Sequence, residues 1–182
     1  MSFAARMNVD GVSRVQASQT YSASTQEATL NVALLSGYQA GATDITVTIN
    51  PGVYLWSDNS ATPGLTLTGG SVGDTLTIVN NGFVMGKGGK GSHFNGSVRT
   101  DPTIGGPALS LGFSATITNT AGYILGGGGG GGGHAFGGGG GGAGGGEGGA
   151  SSGGALGGSA GAINTSGGNG TSDGGGGGGR QI

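Results

Sequence analysis

A short basic cluster and two histidines are the side chains of this chain whose types could perform chemistry. The segment GKGGKG (86–91) has the spacing G-x-G-x-x-G, which in dinucleotide-binding proteins joins a strand to a helix. The residues that follow, SHFNGSVRTDP, do not predict a helix whose N-terminus could meet a phosphate. We therefore expect Lys87 and Lys90 to be solvated or adhesive positions beside a glycine segment, not nucleotide ligands.

The remaining polar residues do not predict catalysis. His93 and His134 have no acidic residue nearby in sequence, and the eight carboxylates show neither a paired spacing nor a metal-ligand spacing. The chain has no cysteine, which excludes a disulfide framework and a thiolate metal site. The sequence thus predicts no cofactor, no metal and no enzyme activity, and it directs attention to binding.

Several side chains are candidates for contact with a partner because they interrupt segments that otherwise consist of glycine. Phe136 either packs over the end of a glycine bundle or anchors a partner, since an exposed aromatic in a rigid loop is a good binding hot spot. His134 is either incidental or part of the same anchor. The segment HFNGS is either a partner-facing loop or a plain turn. The candidate binding residues are His134, Phe136, Leu156, Ile163, Asn164, His93, Phe94 and Asn95.

Charge and hydropathy exclude several classes of partner. The net charge is -2 and only 8% of residues are charged, so the chain offers no basic surface for nucleic acid. No apolar run approaches the length of a membrane span. The N-terminal residues lack the apolar core of a signal peptide, which predicts synthesis in a cytoplasm.

Short β segments precede a glycine-rich region. In TDITVTIN (43–50) the apolar residues alternate with threonine, the period of a half-buried strand. The segment 28–36 fits either one short helix or two strand halves. Near residue 121 the composition changes, and 34 of the 51 glycines lie in residues 122–182. Further strands are predicted at 53–56, 65–68, 75–79, 82–85, 108–111, 115–118 and 122–125.

An internal repeat relates residues 75–91 to residues 115–131. Each copy joins a short β segment to a glycine, an aromatic residue, two further apolar residues and a glycine run. Such a repeat predicts a stacked, solenoid-like β framework. Two copies are fewer than a free-standing solenoid needs, so another subunit or the glycine-rich part would complete the stack.

The glycine-rich region is either a flexible linker or an ordered scaffold. Linkers usually mix glycine with serine, whereas here the interruptions are often apolar. If ordered, glycine favours the left-handed polyproline II type of helix, whose backbone groups must bond to neighbouring helices. Valine at Gly129 or Gly140 is then expected to unfold the domain. The predicted rods are 86–91, 126–133, 137–146, 153–161, 167–170 and 174–179.

The segments GFVMGKGGKG and GGPALSLGFSATITNTAGYILGGGGGGGG resemble the receptor-binding ends of tailed-bacteriophage fibres. The resemblance covers roughly residues 64–182. It extends to the glycine-rich adhesins that cap the long tail fibres of T-even-type phages and to the glycine-rich C-terminal region of lambda-like host-specificity tail-tip proteins. Residues 1–60 match no motif of either group, so we do not expect them to form the long N-terminal fibre-capping domain of the T-even-type adhesins.

This resemblance implies a mainly β and irregular fold, with a short-stranded β base followed by a packed bundle of polyglycine II helices. Residues 1–60 are expected to form a β-rich attachment module, in either a monomer or a homotrimer, for a tail fibre or tail-tip protein. Residues 61–182 would carry the repeat and the bundle, whose loops bind a bacterial outer-membrane receptor, a protein rather than a glycan. The expected location is the virion. The alternatives are a structural connector of the virion and an ice-binding polyglycine protein.

Overall fold

The computed structural model of the chain describes residues 6–7, 13–95, 98–133, 138–151, 155–171 and 173–180. Short strands and one 3-10 turn (Val32–Leu34) make up its regular structure. The described part contains no long apolar helix of the kind that spans a membrane. The strands are β1 (Arg6–Met7), β2 (Ser13–Tyr21), β3 (Thr25–Gln26), β4 (Ala28–Asn31), β5 (Thr43–Ile49), β6 (Tyr54–Trp56), β7 (Leu65–Thr68), β8 (Thr75–Asn80), β9 (Phe83–Met85), β10 (His93–Asn95), β11 (Val98–Thr100), β12 (Leu109–Leu111), β13 (Thr116–Thr118) and β14 (Tyr123–Leu125).

The chain winds repeatedly through three parallel sheets. The first sheet holds β2, β5, β8 and β13, the second β3, β6, β9 and β14, and the third β4, β7 and β12. Because the chain visits these sheets in the same order each time, successive windings stack on one another as a three-sided solenoid. β1 pairs antiparallel with β2 at one end of the first sheet. The predicted solenoid-like framework is therefore observed.

Each predicted strand forms, within about a residue of its expected bounds. The ambiguous segment 28–36 divides between the strand β4 and the 3-10 turn. The side chain of Asn31 accepts a hydrogen bond from the backbone N–H of Ala33 (3.1 Å), which ends the strand and caps the turn.

The repeat seen in the sequence corresponds to the third and fourth windings. Tyr123 lies beside Phe83 in the second sheet, as the alignment of the two copies predicts. The first two windings escaped notice because their spacing differs: Asp44 lies beside Thr75, and Val15 beside Thr43.

Stacked columns of apolar side chains fill the solenoid. Ile45 lies between Ala17 and Leu76 on neighbouring strands, and all three are buried. The alternation seen in TDITVTIN places every second residue of β5 in this core. The buried apolar residues of the core are Ala28, Val32, Ile45, Val47, Ile49, Val53, Leu55, Leu65, Leu67, Leu76, Ile78, Val84 and Ala108.

Strands on both sides of residue 60 share all three parallel sheets. The solenoid is therefore built jointly by residues 13–56 and residues 65–125. Whether residues 1–60 act as an attachment module stays a prediction.

The glycine segments lie side by side and are joined by backbone hydrogen bonds. The N–H of Gly89 donates to the carbonyl of Gly128 (2.8 Å), and that of Gly175 donates to Gly149 (3.0 Å). Two of the segments continue directly from β9 and β14, so the second sheet sets their starting positions. We call this array the glycine lattice; its extended segments are 86–92, 102–106, 126–133, 138–142, 146–151, 155–161, 167–171 and 173–179.

Space for a side chain in the lattice varies with a period of three residues. A Cβ atom added at Gly127 or Gly130 would lie closer than 3.0 Å to a neighbouring carbonyl oxygen, whereas one at Gly129 or Gly132 meets nothing within 4 Å. At Gly140 the nearest atom is 3.9 Å away. The expectation that valine at Gly129 or Gly140 unfolds the domain is therefore wrong, because both positions face open space.

The segment predicted as one rod over 137–146 is two segments joined by a turn. Gly144 and Gly145 have φ values of 89° and 81°, a conformation that residues with a Cβ rarely adopt. The N–H of Gly146 donates to the carbonyl of Gly142 (2.9 Å) across the turn. The chain thus reverses at Ala143, the one residue other than glycine in 137–146, which sequence reasoning did not recognise as a turn signal.

A buried arginine near the end of the described chain joins the lattice to the solenoid. The guanidinium of Arg180 donates to the carbonyls of Gly144 (3.1 Å) and Ser57 (3.2 Å) and to the carboxylate of Asp58. The side chain of Arg180 is only 5% exposed. Burial raises the pKa of Asp58, but the hydrogen bond and charge of Arg180, with smaller contributions from Trp56 and Lys87, together hold it below its ordinary value.

Alanine at Gly130 is predicted to destabilise the protein, because its Cβ would collide with the carbonyl of Lys90. We expect a loss of about 1–3 kcal/mol in the free energy of unfolding, seen as a Tm lower by several degrees. Alanine at Gly129 is the matched control and should change stability by less than about 0.5 kcal/mol. Equal Tm values for the two variants would contradict the lattice packing.

Replacing Asp58 by asparagine is predicted to destabilise the protein at pH 7, since the buried Arg180 loses its counter-charge. The folded-state pKa of Asp58 is lowered, so the ionised carboxylate stabilises the fold above its unfolded pKa of about 4, and this stabilisation is lost as the pH falls through the folded value. The Tm difference between wild type and Asp58→Asn should therefore shrink below about pH 4. Asp101→Asn, whose side chain is 81% exposed, should have little effect at either pH.

Candidate functional site

The glycine lattice has one end against the solenoid. There the N–H of Gly88 donates to the carbonyl of Gly144 (3.0 Å), and the N–H of Arg180 donates to Thr165 (2.9 Å). The turns at 143–145 and 162–165 lie at this end. We call it the proximal end.

The opposite end, which we call the distal end, gathers segments far apart in sequence. The N–H of Phe94 donates to the carbonyl of Ala150 (3.0 Å), and that of Thr171 donates to Leu156 (3.0 Å). The distal end comprises the hairpin β10–β11 and lattice residues 138, 149–151, 155–156, 171 and 173.

The hairpin is anchored to the lattice by its first strand. β10 pairs antiparallel with β11, with Phe94 opposite Arg99, and the preceding Ser92 accepts a hydrogen bond from Gly139 N–H (3.1 Å). The side chains of His93 and Phe94 are half-buried, whereas Val98 is 65% exposed. Three of the five residues of HFNGS therefore lie in a strand, which neither interpretation predicted, while Gly96 and Ser97 are outside the described residues. Whether this segment faces a partner stays a prediction.

A cleft of about 250 Å³ lies between the hairpin and the lattice. Its polar lining includes His93, Thr100 and Asp101, together with Lys90 and Glu147. Lys90 Nζ lies 2.8 Å from a Glu147 carboxylate oxygen, and the hydrogen bond and charge of Lys90 lower the pKa of Glu147. Both side chains are more than half exposed, so this pair contributes below about 1 kcal/mol to stability. The cleft therefore offers a few polar side chains on a mainly apolar lining, and the charges of Lys90 and Glu147 are paired.

The two lysines of GKGGKG have different surroundings. Lys90 is 61% exposed, as expected for a solvated position. Lys87 is only 15% exposed, and its Nζ lies 3.8 Å from Asp58 at the junction with the solenoid, so the expectation that it is solvated is wrong. The segment runs on into the strand β10, which leaves a phosphate no helix N-terminus here.

The candidate residues of the glycine-rich region separate between the two ends. Leu156 lies at the distal end, 68% exposed, with its N–H bonded to the Thr171 hydroxyl (2.7 Å). Ile163 forms an isolated bridge with Arg180 and so lies at the proximal end. Asn164 follows it, exposed, with φ of 56° in a turn. The structure therefore places Leu156 at the same end of the lattice as the hairpin, and Ile163 and Asn164 at the opposite end.

Two candidates and one side chain lie outside what the structure describes. His134 and Phe136 belong to the segment 134–137, which is not among the described residues, and only the backbone of Asn95 is described. Their role in binding stays a prediction.

Sequence reasoning missed Val98, the most exposed apolar residue of the hairpin. The dipeptide Asn95-Gly96 between two short β segments is a hairpin signal that could have identified it. Among the described residues, no group of three or more histidine and carboxylate side chains could hold a metal ion.

A family of known proteins matches most of this chain. The family model of the phage tail fibre adhesin Gp38 matches residues 16–181. The chain belongs to this family. The adhesin is thus a bacteriophage tail fibre component that serves host adsorption, and its family is a tail adhesin family, not an enzyme family. The comparisons with curated proteins and with solved structures gave no significant match.

The matched range extends the resemblance noted in the sequence. That resemblance began near residue 64, whereas the family match begins at residue 16 and so includes all four windings of the solenoid. The expectation that the resemblance excludes residues 1–60 is therefore corrected for residues 16–60, which lie within the family match.

Proposed function

We propose that this adhesin binds a protein of the bacterial outer membrane through the distal end of the glycine lattice. The observation that carries the proposal is the presence at this end of two exposed apolar side chains on anchored backbone, Leu156, which is bonded to Thr171, and Val98 on the hairpin. Apolar anchors with a polar surround are typical of protein-binding surfaces. The cleft at Lys90 and Glu147 supplies such a polar surround.

We also propose that the lattice segments are polyglycine II helices. Three residues complete one turn of such a helix, so every third residue faces the same side. The alternation of crowded and open positions from Gly127 to Gly132 has this period. The hydrogen bonds run between segments, as a helix without internal hydrogen bonds requires.

This arrangement would separate stability from specificity. The lattice is held by backbone groups, so changes of side chain at the distal end leave its hydrogen bonds in place. A rigid support also limits the entropy lost on binding. The solenoid, which contains the predicted N-terminal module, is the part we propose to join the adhesin to the tail fibre or tail tip of the virion. Synthesis in the host cytoplasm completes the proposal.

The test compares lysine substitutions at the two ends of the lattice. In this test the purified chain competes with phage for sensitive cells. Leu156→Lys at the distal end should fold normally, but about ten times more of it than of wild type should be needed to block phage adsorption, because a charge replaces an apolar contact. Ala162→Lys is the matched control, since Ala162 is exposed at the proximal end, and it should compete like wild type. Thermal unfolding of both variants verifies the fold.

The opposite pattern, with Ala162→Lys impaired and Leu156→Lys intact, would overturn the distal-end assignment. Failure of the wild-type chain to compete at any concentration would favour the connector role instead. Protease treatment of the cells should abolish binding of the labelled chain and periodate treatment should not, if the receptor is a protein.

A further inference from the structure

The solenoid is open at its fourth winding. Strands β12, β13 and β14 are the last strands of the three parallel sheets, and none of the described residues pairs with their outer edges. Apolar side chains are exposed on this winding: Ile117 is 41% exposed, Tyr123 47% and Leu125 38%. We call this surface the open end.

The open end exposes the last members of the core columns. Ile117 lies beside the buried Ile78 in the first sheet, and Ile124 lies beside the buried Val84 in the second. In the third sheet Leu111 lies beside the buried Leu67. The hydrophobic core therefore ends at this surface without a covering layer among the described residues.

A stack of aromatic rings also ends here. The rings of Tyr54 and Phe83 are stacked with centroids 4.4 Å apart, and those of Phe83 and Tyr123 with centroids 5.6 Å apart. Tyr54 is buried, whereas Tyr123 is nearly half exposed. One face of the Tyr123 ring is thus available to a further aromatic or aliphatic group.

The open end lacks the charges that usually protect a sheet edge. Exposed edge strands are normally blunted by lysine or other charged residues, by proline, or by a covering segment. No aspartate, glutamate, lysine or arginine occurs between Asp101 and Glu147, which includes the whole fourth winding. The first winding differs, since it contains the half-buried Glu27, and β1 covers one end of β2. The open end therefore has the character of a surface that is covered in the assembled virion.

We propose that the open end docks onto an uncharged, β-structured end of the phage tail fibre, which adds strand edges and apolar side chains to β13 and β14. This inference rests on the proposed function and names the surface that joins the adhesin to the virion. Backbone groups on the unpaired edges would supply affinity, and the apolar columns would set the register. The open end and the distal end use different residues, so that fibre and receptor can be held at once.

A lysine on the outer strand provides the test. Thr118 and Thr20 occupy the same position on β13 and β2, at opposite edges of the first sheet, and both are exposed. Thr118→Lys places an unpaired charge at the open end, and Thr20→Lys is the matched control. The probe is phage particles grown without the adhesin gene, to which purified full-length chain is added before sedimentation.

We expect the amount of chain that sediments with the particles to be at least about tenfold lower for Thr118→Lys than for wild type. The amount for Thr20→Lys should equal that of wild type. Thr118→Lys should keep the wild-type Tm and still bind sensitive cells, which shows that fold and receptor binding are intact. Thr116→Lys is a second variant at the same edge with the same expected result.

Equal sedimentation of Thr118→Lys and wild type, or a loss confined to Thr20→Lys, would overturn the proposal. So would light scattering that shows a wild-type dimer dissociated by Thr118→Lys while binding to the particles is unchanged, since the open end would then join two copies. A third outcome separates the two proposals. If Thr118→Lys loses sedimentation as expected but the wild-type chain does not bind sensitive cells, the receptor-binding proposal is rejected and the docking surface is retained.

Discussion

The structure depends on the mutual satisfaction of backbone N–H and C=O groups between glycine segments. An extended segment has no hydrogen bonds of its own, so each buried peptide group must find a partner on a neighbouring segment. The separations observed, such as 2.6 Å from Gly131 N to Gly140 O, need backbones to approach without side chains between them. At most lattice positions, an added Cβ atom would clash with the backbone of a neighbouring segment. Glycine is therefore a packing requirement here and does not indicate flexibility.

Such a lattice needs a template, because glycine segments alone carry no information about their register. The solenoid supplies it. β9 and β14 lie side by side in a sheet whose register is set by stacked apolar side chains, and both continue into the lattice. Arg180 ties the last segment back to Ser57 and Asp58, so the lattice is held at its beginning and near its end.

This construction explains how a chain with few large side chains serves as an adhesin. The buried apolar residues form the core of the solenoid, and the lattice extends away from it without a core of its own. Large apolar side chains are exposed at the distal end of the lattice and at the open end of the solenoid, and also at Leu34, Val72 and Ile104 outside these two surfaces. The distal end and the open end are the surfaces that we propose for the receptor and for the tail fibre.

The sequence by itself determined the strands, the stacking of the windings and the family. Alternation in segments such as 43–50 and the repeat over 75–91 and 115–131 are local signals, so they can be read without knowledge of the fold. Only the tertiary structure decided which glycines are crowded, where the run 137–146 turns, and that Leu156 lies with the hairpin while Ile163 lies near Arg180. Glycine has no side chain whose pattern could report these differences. They arise from lateral hydrogen bonds between segments far apart in the chain, and such pairings exist only once the segments have come together.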